Sequence, residues 1–101
     1  MCAVKATLVV RHRITYGEEL FSEVVVWVVP EPIAGCTHAY KYRLALVAHG
    51  ECVLRYDNEA GKGDHRHAGS GEGKYRFSTL DILFADFERD IRRTLDENHH
   101  P

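Results

Sequence analysis

Residues 55–67 read RYDNEAGKGDHRH, placing a proton donor, a proton acceptor and cations for an anion within thirteen residues. Arg55, Lys62, His65, Arg66 and His67 surround Asp57, Glu59 and Asp64, with Gly61 and Gly63 threaded between them. Cleavage of RNA by its own 2′-hydroxyl needs a base for that proton, an acid for the leaving oxygen and positive charge for the phosphorane. Histidine suits both proton roles because its ordinary pKa lies near neutrality. Two histidines at i,i+2 in an extended segment project to one side, roughly 6–7 Å apart, and can flank one phosphate. His65, His67, Asp64 and Lys62 are therefore the candidate catalytic set. Arg66 would point away if the segment were regular, which makes Lys62 or Arg55 the better phosphate ligand. Asp64 or Asp57 would orient an imidazole, as an acid does in hydrolase triads. Arg55, Arg66, Asp57, Tyr56, Lys41 and Arg43 are the candidates for holding the substrate.

Other readings compete. His-x-His with Asp64 offers three metal ligands, and His49 or His38 a fourth, but the adjacent Lys62 and Arg66 would repel a divalent ion. No metal or cofactor is therefore expected. GKGDH lacks the Ser/Thr and the spacing of a phosphate-binding Walker loop and does not open a helix. A solvated glycine-rich loop whose histidines do nothing is the plain alternative. Arg11, Arg13, Lys41 and Arg43 could form a basic sheet face for RNA or a partner, or a solvated face paired with acids. Tyr40 and Tyr42 could stack bases or pack in the core. His12 reads as a partly buried side chain on an apolar strand face, and Trp27 as core.

The elements that would position these groups follow from periodicity. Residues 4–14 alternate: Val4, Ala6, Leu8, Val10, His12 and Ile14 face one way, and Lys5, Thr7, Val9, Arg11 and Arg13 the other. That is a half-buried strand, ended by a turn at Tyr16-Gly17-Glu18-Glu19. Leu20–Val29 contains the run VVVWVV and predicts a central strand buried on both faces. Pro30 and Pro32 end it, since neither can donate to a ladder. Tyr40–Ala48 and Cys52–Asn58 predict a hairpin across His49-Gly50. A longer loop, or a bulge giving the same offset, sets Leu46 opposite Leu54, Leu44 opposite Tyr56, Val47 opposite Val53, Arg43 opposite Asp57 and Lys41 opposite Glu59. Residues 59–76 hold five of the eight glycines and no aliphatic side chain larger than alanine, which predicts a long flexible loop. Ser78 as N-cap, Asp81 three residues on, and a Phe77–Ile82 staple predict a helix over 79–95. Its apolar stripe is Leu80, Leu83, Phe84, Phe87, Ile91 and Leu95, with Arg89, Arg92 and Arg93 toward the C-terminal end.

The expected architecture is one α+β domain over 1–95: a four-stranded antiparallel sheet, a C-terminal helix on one face, and a Gly-rich loop between strand four and the helix. Residues 96–101 read as a frayed tail. A chain of 101 residues suits one modest core. The longest apolar run, Val24 to Pro30, is too short to span a membrane, and the N-terminus lacks a signal-peptide layout. Cys2, Cys36 and Cys52 form no CxxC pair and read as reduced and mostly buried. A cytoplasmic protein is expected. The net charge of −2 argues against a general nucleic-acid coat, but the acidic excess belongs to residues 78–101, leaving room for a local phosphate site.

VVVWVVPEP, YKYRLALV, RYDNEAGKGDHRH and YRFSTLDILFADFERDI together resemble the TumE-like family of small bacterial and archaeal toxins. The resemblance covers about residues 3–95, with KGDHRH as its specific core. It implies a toxin neutralised by a cognate antitoxin with a helix-turn-helix. It assigns no active site, so the roles above rest on the residues. A metal-independent ribonuclease toxin is the leading reading. A non-enzymatic toxin or protein-binding module using the same charged loop is the alternative. The antitoxin could mask that loop or add to the first strand, if that strand is a sheet edge.

Overall fold

Alternating β-branched and polar residues, broken by glycine-containing turns, fold this chain into a meander. The computed structural model describes residues 6–98. Six strands, β1 (Thr7–Gly17), β2 (Leu20–Val28), β3 (Tyr40–Ala48), β4 (Glu51–Glu59), β5 (Gly63–Ala68) and β6 (Gly71–Lys74), precede one helix, α1 (Leu80–Asn98). The strands lie side by side in chain order, each antiparallel to the next. The fold is α+β with one helix, as expected, but the sheet has six strands and not four.

The two additional strands are what the sequence suggested as a flexible loop. Asp64 to His67 alternate in strand fashion, and the glycines around them make the turns. Gly61, Gly63 and Gly69 have φ of 84°, 76° and 60°, a left-handed region costly for other residues. Gly63 also packs its backbone against Gly35, where a Cβ would meet the Gly35 carbonyl oxygen at 2.8 Å. Glycine content here marks tight turns and close approach between backbones.

The β3–β4 register sets Leu46 opposite Leu54, Leu44 opposite Tyr56 and Arg43 opposite Asp57. A two-residue turn at His49-Gly50 and a bulge at Val53 produce that offset, so Val47 faces Cys52 and not Val53. Another bulge, at Val9 in β1, turns Leu8 to the opposite face from Val10 and leaves it 49% exposed. β2 lies next to the edge strand, not at the centre, and only one of its faces is deeply buried. Val26 is sealed there, while Trp27 on the other face is only partly covered. β1 is the long free edge, exposed along nearly its whole length.

Val26, Tyr42, Leu44, Leu46, Leu54 and Tyr56 bury themselves against Leu83, Phe87 and Ile91 of α1. Burying such side chains contributes roughly 1.5–3 kcal/mol each. We call the helix-covered side of the sheet the inner face and the other the outer face. Thr79, not Ser78, caps α1: its hydroxyl accepts the Ile82 N–H at 3.1 Å, and its carbonyl accepts the Leu83 N–H. Phe77 and Ile82 therefore do not hold the staple positions, and Ile82 stays 49% exposed. The helix extends past its expected end, so residues 96–98 are helical. Residues 1–5 and 99–101, including Cys2 and the start expected for strand one, lie outside the described residues. Cys36 is half-buried, whereas Cys52 is exposed, contrary to expectation. Among the described residues, no helix is long and apolar enough to cross a membrane.

Candidate active site

Strand alternation splits RYDNEAGKGDHRH into two sets. In the β4–β5 ladder, Asp57 faces His65 and Arg55 faces His67, while Asn58 faces Asp64 and Tyr56 faces Arg66. Residues directly opposite share a face of the sheet. The first set lies on the outer face and lines, with Glu59, Lys62 and Glu72, a polar cleft of about 140 Å³. The second set lies on the inner face, beneath the helix.

The outer set converges through polar contacts. An Arg55 Nη2–H donates to His67 Nε2 at 2.9 Å. Guanidinium can only donate, so His67 Nε2 accepts and the ring proton sits on Nδ1, 3.2 Å from Glu72 Oε2. His65 is the reverse: its Nε2–H donates to the Lys62 carbonyl at 2.8 Å, leaving Nδ1 as the open lone pair. Arg55 Nε lies 3.1 Å from Asp57 Oδ2, yet no acceptor is aligned with its buried N–H. That contact is a charge pairing, not a hydrogen bond. Arg55 Nη2 is taken by His67, and Nη1, which makes no hydrogen bond among the described residues, is the donor left for an anion. Arg43 stands across the ladder from Asp57 on the same face. Lys41 donates to the Asn58 carbonyl, which ties its ammonium down.

The inner set is structural in its geometry. Arg66 Nε donates to Asp90 Oδ2 on α1 at 2.8 Å and to Tyr56 Oη at 3.1 Å, and Tyr56 Oη–H donates to the same carboxylate. Burial would raise the Asp90 pKa, but the hydrogen bonds from Arg66 and Tyr56 outweigh it and hold the carboxyl below its usual range. Burial and the Asp90 contact push the Tyr56 phenol up to about 12. Arg66 and the 1%-exposed Tyr56 are thus committed to the helix and do not face the cleft. Arg66 points away from the histidines, as its spacing predicted.

Asp64 also faces inward. Its Oδ1 accepts from His38 Nε2 at 2.7 Å and from Tyr42 Oη at 2.6 Å, joining β5 to β3 and to the 29–39 connection. Burial, then the Asp64 contact, push the Tyr42 phenol well above its ordinary range. With Cys36 this makes a Cys36–His38–Asp64 cluster whose ligand atoms lie within 4.8 Å of one another. Metal chemistry fits it poorly. His38 Nδ1 accepts the Tyr40 backbone N–H at 3.2 Å, so the ring proton occupies Nε2, the atom a metal would need. Burial holds the Cys36 thiol above its usual pKa, against what a thiolate ligand requires. The cluster is a hydrogen-bonded hub.

This placement distinguishes two roles for Asp64. Asp64→Asn is expected to lower stability by about 1–3 kcal/mol, through the weakened His38 and Tyr42 bonds, while folded protein keeps its activity within a few-fold. Thermal melts beside activity per folded molecule check this. A well-folded Asp64→Asn protein with a hundredfold loss of activity would instead return Asp64 to the catalytic set.

Glu59, part of the charged run, also lines the cleft, as does Glu72, which the sequence alone did not single out. The signal for Glu72 was the hairpin at Ala68-Gly69-Ser70-Gly71, which sets it opposite His67 once β6 is recognised. A family model described as Toxin TumE matches residues 3–95 of the chain. No curated protein and no solved structure matches it.

Proposed function

The chain belongs to the TumE toxin family, and from that premise we propose that it acts as a metal-independent ribonuclease through the outer-face cleft. One observation carries this reading: two histidines with opposite hydrogen-bonding polarity sit beside Arg55 and Lys62 in one cleft. His65 Nδ1, the open lone pair, takes the proton from a ribose 2′-hydroxyl. The 2′-oxygen attacks phosphorus, and the bond to the 5′-oxygen breaks. Arg55 and Lys62 hold the phosphoryl oxygens as charge builds on them. A phosphate that draws Arg55 off His67 frees Nε2 to take up a proton. The imidazolium so formed, with Glu72 at Nδ1–H, delivers a proton to the leaving 5′-oxygen. The products are a 2′,3′-cyclic phosphate and a 5′-hydroxyl.

Purified protein incubated with RNA is expected to leave those two ends, at a rate unchanged by a chelator. Loss of cleavage with chelator and its return on adding metal would overturn the metal-independent mechanism.

A second reading draws on a different feature. The family implies a partner antitoxin, and the free edge of β1 exposes Leu8, Val9, Ile14 and Tyr16 beside unpaired backbone groups. An extended segment could pair there. A protein that leaves RNA intact but captures one cellular partner stoichiometrically would favour a toxin acting by occupation.

A further inference from the structure

The cleft is one end of a longer arrangement. The five strand pairings align Arg11, Val25, Arg43, Asp57, His65 and Lys74 in one row across the whole sheet. His12 and Ile14 of β1 face the helix with Phe84 and Phe87, so Arg11 and Arg13 project from the outer face. Arg13 lies over the Phe21 ring at 3.8 Å and 3.8 Å from Glu23, on that same face. The row therefore runs over the outer surface from the β1 edge into the cleft.

Arg11 and Arg43 are exposed, and neither makes an ion pair among the described residues. The nearby acids are already engaged, Asp57 with Arg55 and Glu23 with Arg13. Meanwhile α1, across the inner face, carries six acids against Arg89, Arg92 and Arg93. The net charge of −2 thus includes an acidic excess on the helix side of the sheet. Trp27, the one tryptophan, sits one row over, opposite Lys41. It is partly exposed and stacks on no other ring among the described residues. The core lies on the other side of the sheet, so its indole is not needed there.

We infer that the outer sheet face is a binding track for single-stranded RNA, with Arg43 and Arg11 holding phosphates that flank the scissile one and Trp27 stacking an unpaired base. This rests on the cleft's reading as an RNA-cleaving site and gives that site its substrate class. Four interstrand steps of about 4.8 Å put β1 about 19 Å from β5, long enough for several nucleotides beyond the one held in the cleft. A polyanion matches the unpaired cations. Stacking on an open indole requires bases free of a duplex, because A-form RNA offers a groove wall of riboses and phosphates and no base faces.

The probe is a fluorescently labelled 2′-O-methyl oligonucleotide of about twelve nucleotides, which binds but lacks the hydroxyl for self-attack. Arg11→Glu with Arg43→Glu should weaken its binding on the order of 100-fold and flatten the log K against log salt slope by about 1.4. Trp27→Ala should weaken binding about tenfold. The same sequence as a duplex should bind at least about tenfold more weakly than the single strand. These positions are outside the core, and a thermal melt of each variant verifies its fold. Wild-type affinity in the double variant, equal grip on duplex, or no binding by the wild type would each overturn the track. The two readings fail separately. Binding through Arg11 and Arg43 by a protein that leaves ordinary RNA intact keeps the track and ends the cleavage reading. Wild-type cleavage and binding by the double variant does the reverse.

Discussion

His65→Ala and His67→Ala are each expected to lower RNA cleavage by about 10²–10⁴-fold, the usual worth of a positioned acid or base. Growth arrest on expression should disappear with it. The two losses arise differently. His65 offers an unoccupied Nδ1 because the Lys62 carbonyl holds its Nε2–H, so alanine there removes the acceptor for the 2′-hydroxyl proton. His67 is held from both sides by Arg55 and Glu72, so alanine there removes the acid and takes the hydrogen-bond acceptor from Arg55 Nη2. Neither ring belongs to the core cluster, so melting temperatures should move little, and lost activity cannot be assigned to unfolding. The measurement is RNA integrity after expression, beside cleavage of a defined oligonucleotide by purified protein. If both variants degrade RNA and arrest growth like the wild type, the histidine mechanism is wrong.

Much of this site was legible because strand geometry is simple. The spacing His65-x-His67 put both rings on one side and sent Arg66 to the other, and the structure agrees. The same parity argument, applied one residue earlier, would have sent Asp64 inward with Arg66. Its attraction as a carboxylate beside a histidine hid that. Glu72 was not legible, since its place opposite His67 depends on β6, and GEGK carries no apolar residue to announce a strand. Long-range pairing supplies what local propensity does not: β5 is a strand because β4 presents a free ladder to it.

Elsewhere the sequence under-determined small offsets with large consequences. The Val53 bulge was anticipated only as an alternative to a longer loop, because both give the Leu46–Leu54 pairing. The Val9 bulge left no composition cue, and it moves Leu8 to the outer face beside Trp27. The VVVWVV run suggested burial on both sides, but among the described residues one helix covers only one face. An uncovered face is what allows the cleft and the cations of Arg11 and Arg43 to meet a ligand at all.

Asp90→Ala is expected to cost about 3 kcal/mol, combining a buried Tyr56 hydroxyl left without its acceptor and a smaller term for Arg66. The Arg66 share is discounted because its side chain is 37% exposed, whereas that of Asp90 is 4% exposed. The contact spans β4, β5 and α1, so its loss loosens the helix against the strands that carry the cleft. The pH dependence has a definite sign. The folded carboxyl titrates below the unfolded value of about 3.9, so its contribution is complete above that pH and is lost as pH falls through the lowered folded value. The phenol of Tyr56 behaves oppositely. Its folded value of about 12 exceeds the unfolded value of about 10, so stability present below about 10 drains away as pH rises toward 12. Urea unfolding of wild type and Asp90→Ala should therefore show a stability gap that is full near neutrality and narrows in acid. Tyr56→Phe should remove part of the alkaline loss. A gap that stays constant down to the acid transition would mean that Asp90 is held by packing alone, with no charge at stake between the helix and the sheet.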